Sequence, residues 1–101
     1  MNFNFSRDAL SAFCRKWQIE EMCLFGSVLR DDFAPDSDID VLVSFAPEAS
    51  CTLFDLVKME NELKQLWQRE VDLVSRRGVE SSRNYLRRDA ILNSAQVIYA
   101  A

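Results

Sequence analysis

Ser37-Asp38-Ile39-Asp40-Val41-Leu42-Val43-Ser44-Phe45 is the stretch that decides how this chain is read. Ile39 to Phe45 is the strongest strand in the sequence, rich in β-branched and apolar residues and stopped by Ala46-Pro47. Side chains alternate across a strand, so Ile39, Val41 and Val43 share the face that enters a core. Asp38 and Asp40 project together from the other face, with Cα atoms roughly 6.5–7 Å apart. Two carboxylates beside a buried apolar strand are costly unless they are paired, solvated or bound to a cation.

Working outward, Met22-Cys23-Leu24-Phe25 reads as a short buried strand that Gly26 stops. Gly26-Ser27-Val28-Leu29-Arg30 then reads as a turn leading into a short helix, and Asp31 to Ser37 as a polar loop. Upstream, Ser6 is the expected N-cap of a helix to about Trp17, with Ala9, Leu10, Phe13 and Trp17 at helical spacing. Downstream, a long helix is expected over Leu53 to Gln68, with Leu53, Leu56, Val57, Leu63, Leu66 and Trp67 on one face. Val71-Asp72-Leu73-Val74 reads as a strand. Ser81 to Leu92 reads as a basic helix with Tyr85 and Leu86 facing inward, and Gln96-Val97-Ile98-Tyr99 as a last strand. The expected fold is α/β (α+β), a small mixed β-sheet with flanking helices, with residues 1–101 forming one domain.

Composition narrows the chemistry. The 49% hydrophobic and 28% charged fractions suit an ordinary globular domain of 101 residues. With no histidine, the Ser-His-Asp and Cys-His nucleophilic sites and His-ligated zinc are excluded. Cys14, Cys23 and Cys51 are odd in number and form no Cys-x-x-Cys, so reduced thiols in a cytoplasmic protein are expected. The start lacks the basic-then-apolar pattern of a signal peptide, and no apolar run reaches the ~20 residues of a membrane helix. Catalysis would have to rest on carboxylates, hydroxyls, backbone amides or an oxygen-held metal.

A net charge of -4 speaks against non-specific nucleic-acid binding. The charge is uneven. Asp31, Asp32, Asp36, Asp38 and Asp40 crowd into ten residues, whereas Arg76, Arg77, Arg83, Arg87 and Arg88 make the C-terminal quarter basic. Like charges about 6 Å apart repel by roughly 2–3 kcal/mol at an effective dielectric near 20. The acidic cluster therefore either splays into water or takes a cation, and carboxylate oxygens suit Mg²⁺ or Mn²⁺. The basic end is a solvated helix face or a dock for phosphates or an acidic partner.

Three pieces carry the chemistry, each with a plain structural alternative. Gly26-Ser27 at a strand end is a turn with an N-cap, or a place where backbone amides and a hydroxyl meet phosphate oxygens. Asp38-x-Asp40 is a strand end with solvated acids, or half of a metal site. Asp72 is an edge-strand acid facing water or paired with Arg76 or Arg77, or a third carboxylate if its strand lies beside that of Asp40. No glycine-rich phosphate loop is present to do this work instead.

Taken together, Gly26-Ser27-x-x-Arg30, Ser37-Asp38-x-Asp40 and the isolated Asp72 resemble the nucleotidyltransferase superfamily that includes DNA polymerase beta and kanamycin nucleotidyltransferase. The short chain is most similar to the minimal nucleotidyltransferases, antitoxins paired with HEPN-domain toxins. The resemblance spans about residues 6–99. It implies a polymerase beta-like nucleotidyltransferase fold. It also implies that Gly26 and Ser27 hold nucleotide phosphates, that Asp38 and Asp40 bind magnesium, and that Asp72 is the third carboxylate. Arg30 and Ser37 belong to the implied nucleotide-binding motif. Asp31 departs from the family pattern, where many relatives have glycine, and leaves the path of the loop open. The implied activity is transfer of AMP from ATP to a hydroxyl, tyrosine first among candidates, of a HEPN toxin in a hetero-oligomer. Neutralisation of that toxin by contact alone, and nucleotidyl transfer to a small molecule, are the alternatives.

Overall fold

The Asp-x-Asp strand lies near the middle of a four-stranded sheet. The computed structural model describes residues 5–29 and 38–101, with Ser27 described by its backbone alone. Its elements run α1 (Arg7–Lys16), β1 (Ile19–Phe25), a turn of 3-10 helix (Gly26–Leu29), β2 (Ile39–Phe45), α2 (Leu53–Trp67), β3 (Val71–Ser75), α3 (Arg76–Glu80), α4 (Tyr85–Ser94) and β4 (Gln96–Ala100). The strand order is β3-β2-β1-β4. β1 is antiparallel to both β2 and β4, whereas β2 and β3 are parallel. A parallel pair needs a crossover, and α2 supplies it. The expected small mixed sheet with flanking helices is the fold observed.

Strand alternation sorts the core into two layers. Ile39, Val41 and Val43 are buried with Met22 and Leu24 against Leu10, Phe13 and Cys14 of α1 and Met59 and Leu63 of α2. Cys23, Phe25 and Leu42 face the other way, onto Val79 of α3 and Ile91 of α4. Ile19 joins the α1–α2 layer although its number is out of phase with Met22 and Leu24. A register shift between Ile19 and Glu21 supplies the missing step, as one extra residue in a strand turns the following side chains over. β1 therefore begins earlier than its apolar run suggested.

Local chemistry sets the helix ends. The Ser6 hydroxyl accepts from the Ala9 amide at the start of α1. Thr52 and Asp55 form a reciprocal capping box at the start of α2. Gln68 ends α2 in the left-handed conformation, at φ 53°.

Two expectations about faces are corrected. On α2, Met59 and Leu63 are the buried residues, while Leu53 and Phe54 are 79% and 80% exposed and Val57 and Leu66 are also exposed. Of the expected face, Leu63 is buried and Leu56 and Trp67 are partly buried against the same core, so only part of that face is turned inward. The expected helix Ser81–Leu92 is α4, which starts later, at Tyr85, and a separate short helix, α3, precedes it where none was expected. Ser75 caps α3 and Asn84 caps α4, and Tyr85 and Leu86 are 60% and 73% exposed. The second cap sets the phase of α4 so that Ile91 points inward, with Leu92 partly buried beside it.

Candidate active site

The parallel register sets Asp40 of β2 directly opposite Asp72 of β3. Residues opposite each other in a sheet share a face, about 4.8 Å apart between strands. That face is the one carrying Leu42 and Val74, toward α3 and α4. The ladder starts right at this point, since the Ile39 amide donates to the Glu70 carbonyl at 2.9 Å. Asp38 stands exposed just ahead of it, Asp40 is half-buried, and Asp72 is exposed. Neither Arg76 nor Arg77, the partners considered for Asp72, forms an ion pair with it among the described residues. Arg76 bonds Glu21 at 3.3 Å, and Arg77 is an exposed residue of α3.

The antiparallel neighbour of Asp40 on the other side is Phe25, the residue before the turn. Gly26 follows at φ +76°, a conformation that favours glycine. A Cβ built there would overlap the Asp40 carboxylate at Oδ2. Val28 is fully buried and Leu29 packs on the same core, so the turn is held down by its apolar end. The glycine thus lets the backbone of the turn lie against the carboxylate. Ser27 belongs to this turn. Arg30, Asp31, Asp32, Phe33, Asp36 and Ser37 lie outside the described residues.

The electrostatics follow from the register. Burial raises the Asp40 carboxyl above its ordinary value, and repulsion from Asp72 and then Asp38 adds to it. Arg87 of α4 works in the opposite sense on the same carboxylate. Sequence reading placed Arg87 only in a general basic end. Its specific position came from the Asn84 cap, whose side chain accepts from the Arg87 amide and so fixes the start of α4. The donor set is all carboxylate, the chemistry that hard divalent cations prefer, and two facing negative charges are relieved by a cation. Among the described residues no three acidic, cysteine or histidine side chains stand together as a metal-holding group, so the expected set of Asp38, Asp40 and Asp72 is not gathered around one point and the opposed pair is Asp40 and Asp72.

Other groups are structural. Cys14 and Cys23 are buried free thiols, and burial pushes them up to about 12 and about 11. Cys51 is a half-buried free thiol. Lys16 and the Trp17 indole both bond Glu62, tying α1 to α2. No helix among the described residues is long and apolar enough to cross a membrane.

Comparison with known proteins gives the family. A family model described as a nucleotidyltransferase domain matches residues 6–98. The chain belongs to the nucleotidyltransferase family. The motif-based expectation of that family is therefore met. Among curated nucleotidyltransferase relatives, a candidate protein adenylyltransferase of Methanocaldococcus jannaschii is 33% identical over 95 residues, covering 94% of this chain and 96% of the relative. The solved structure of a candidate minimal nucleotidyltransferase superposes with a TM-score of 0.68 at 33% identity, covering 89% of this chain and 86% of that one. A chain in the complex of a tri-AMPylated Shewanella oneidensis HEPN toxin with an MNT antitoxin superposes with a TM-score of 0.62. It is 18% identical and the match covers 94% of this chain and 70% of that one, which is a likeness of fold.

Proposed function

We propose that this nucleotidyltransferase is an antitoxin that moves AMP from ATP onto a hydroxyl, tyrosine first among candidates, of a HEPN-domain toxin. The observation that carries the reading is Asp40 opposite Asp72, with the Gly26 backbone against Asp40, in a chain of this family. The name of the Methanocaldococcus relative and the AMPylated state of the Shewanella toxin give the direction of transfer and the kind of acceptor.

The reaction balances as follows. The acceptor oxygen bonds to the α-phosphorus of ATP, the bond from that phosphorus to the bridging oxygen breaks, and pyrophosphate leaves with the electron pair. Asp38, Asp40 and Asp72 would hold Mg²⁺, or Mn²⁺ in its place. Bound there, such ions neutralise phosphate charge and make a hydroxyl easier to ionise. The chain's own groups do the rest. Amides of the Gly26–Ser27 turn and the Ser27 hydroxyl would donate to the phosphate oxygens, with Arg30 and Ser37 assigned to nucleotide binding by motif. Asp72, the more exposed of the opposed carboxylates, would accept the proton of the incoming hydroxyl.

The test is to mix the chain with Mg-ATP and a HEPN-domain protein, taken from the adjacent gene if one is encoded there, then weigh both. An AMP adduct on the partner that disappears in Asp40→Asn and Asp72→Asn is the expected result. Neutralisation of the partner that survives both substitutions, with no adduct, would instead establish inhibition by contact alone.

A further inference from the structure

β3 is an edge strand, paired with β2 on one side only. Asp72 is the second residue of this five-residue strand, next to the point where the ladder with β2 begins. Strand ends open easily, and here two facing carboxylates push the strands apart. Backbone groups alternate along a parallel pair. Asp72 therefore turns its amide and carbonyl to β2, while Leu73 turns its own to the open edge. That outward Leu73 amide has a partner. It donates to Glu60 Oε1 of α2 at 3.4 Å.

The charges of α2 are arranged around this contact. Lys64 stands four residues beyond Glu60, the spacing at which a helix pairs the two. Lys64 instead bonds Glu70, at 3.3 Å. Glu60 is half-buried and makes no ion pair among the described residues. α2 thus grips β3 on both sides of Asp72, at the Glu70 side chain before it and the Leu73 amide after it.

We infer that Glu60 is a positioning residue for Asp72, holding that carboxylate opposite Asp40 against their repulsion. The inference rests on the nucleotidyl-transfer reading, in which both aspartates serve one site. The peptide unit joining Asp72 to Leu73 is planar and rigid. Its carbonyl is turned into the ladder and its N–H is held by Glu60, so it is fixed from both sides. Glu60 does this without entering the site. Leu73 packs into the α1–α2 layer, and Asp72 projects from the opposite face of the sheet. The competing role for such a carboxylate is to shield a bare edge from a further strand. A shield of that kind leaves the affinity of the two aspartates for a cation unmoved.

Amide hydrogen exchange on the metal-free chain, followed by a Mn²⁺ titration, tests this in wild type, Glu60→Ala and Glu60→Gln. Alanine removes the acceptor, and glutamine keeps an oxygen at the same reach. In Glu60→Ala the Leu73 and Ile39 amides are expected to exchange about tenfold faster, while Leu24 of the doubly paired β1 keeps its rate and reports an intact fold. Mn²⁺ affinity should fall about tenfold in Glu60→Ala, and Glu60→Gln should recover most of both effects. If Leu73 exchanges alike in wild type and Glu60→Ala, the bond holds nothing and the inference falls. If Leu73 quickens and Mn²⁺ affinity stays, Glu60 only shields the edge, and the inference falls while the transfer reading stands. If Leu24 quickens as much as Leu73 in both variants, Glu60 supports the whole fold and the inference likewise falls. If wild type binds Mn²⁺ no better than Asp40→Asn does, the carboxylate site of the transfer reading fails and takes the role of Glu60 with it.

Discussion

Asp40 and Asp72 occupy paired positions on the only parallel strands among the described residues, so two like charges face the same side of the sheet at neighbouring-strand distance. Nothing in packing requires this. Valine or threonine at either place would serve a sheet better. The pair is a local cost that a binding site explains.

That cost is measurable. Two such charges about 5 Å apart repel by roughly 3 kcal/mol at an effective dielectric of 20, and solvent around exposed Asp72 reduces this to around 1 kcal/mol. Asp40→Asn is therefore expected to raise the melting temperature by about 4–8 °C while abolishing AMP transfer. The sign with pH follows from the raised Asp40 carboxyl. The folded state binds that proton more tightly than the unfolded chain, so the penalty is full above the folded-state value and fades as pH falls through it. The gain from Asn should shrink in acid and in high salt. A thermal melt series at several pH values that showed no gain at neutral pH would remove the repulsion argument.

Gly26→Ala meets two obstacles at once, a left-handed φ of +76° and the Asp40 carboxylate where its Cβ would go. The expected loss is about 1–3 kcal/mol of stability together with loss of nucleotide binding, because the turn must retreat from Asp40. Denaturant melts and a nucleotide titration on the same sample check both. Full activity in the alanine variant would show that the close approach is dispensable.

The buried residues of α2 give a third expectation. Leu63→Ala and Met59→Ala should each cost about 2–5 kcal/mol, since both side chains are fully buried. Leu53→Ala and Phe54→Ala, on the exposed first turn, should stay within about 0.5 kcal/mol. Urea unfolding of the four variants decides whether the helix is turned as described.

The thiols supply a fourth. Cys14 and Cys23 are buried and pushed up to about 12 and about 11, so both remain protonated and shielded at pH 8. A thiol reagent on the native chain should modify Cys51 first, with the other two reacting only as the fold opens in denaturant. Immediate modification of all three would contradict their burial.

How much of this was legible in the sequence differs element by element. Ile39 to Phe45 was readable with its bounds because strong β-branched alternation and a terminal Ala-Pro leave one interpretation. The Ser6 cap was readable because side-chain capping is local chemistry. The direction of Tyr85 and Leu86 was not, because the phase of α4 is set by the Asn84 cap and by what Ile91 packs against across the sheet. The exposed first turn of α2 was missed for a similar reason. Periodicity names a helix's apolar residues but not which of them a neighbouring element covers.

The sequence by itself determined the chemistry open to this protein. A chain with no histidine, a Gly-Ser turn and aspartates at positions 38, 40 and 72 is confined to carboxylates, hydroxyls, backbone amides or an oxygen-held metal. Only the tertiary structure decided that Asp40 and Asp72 meet, because register between strands separated by a crossover helix is fixed by core packing and not by local preference.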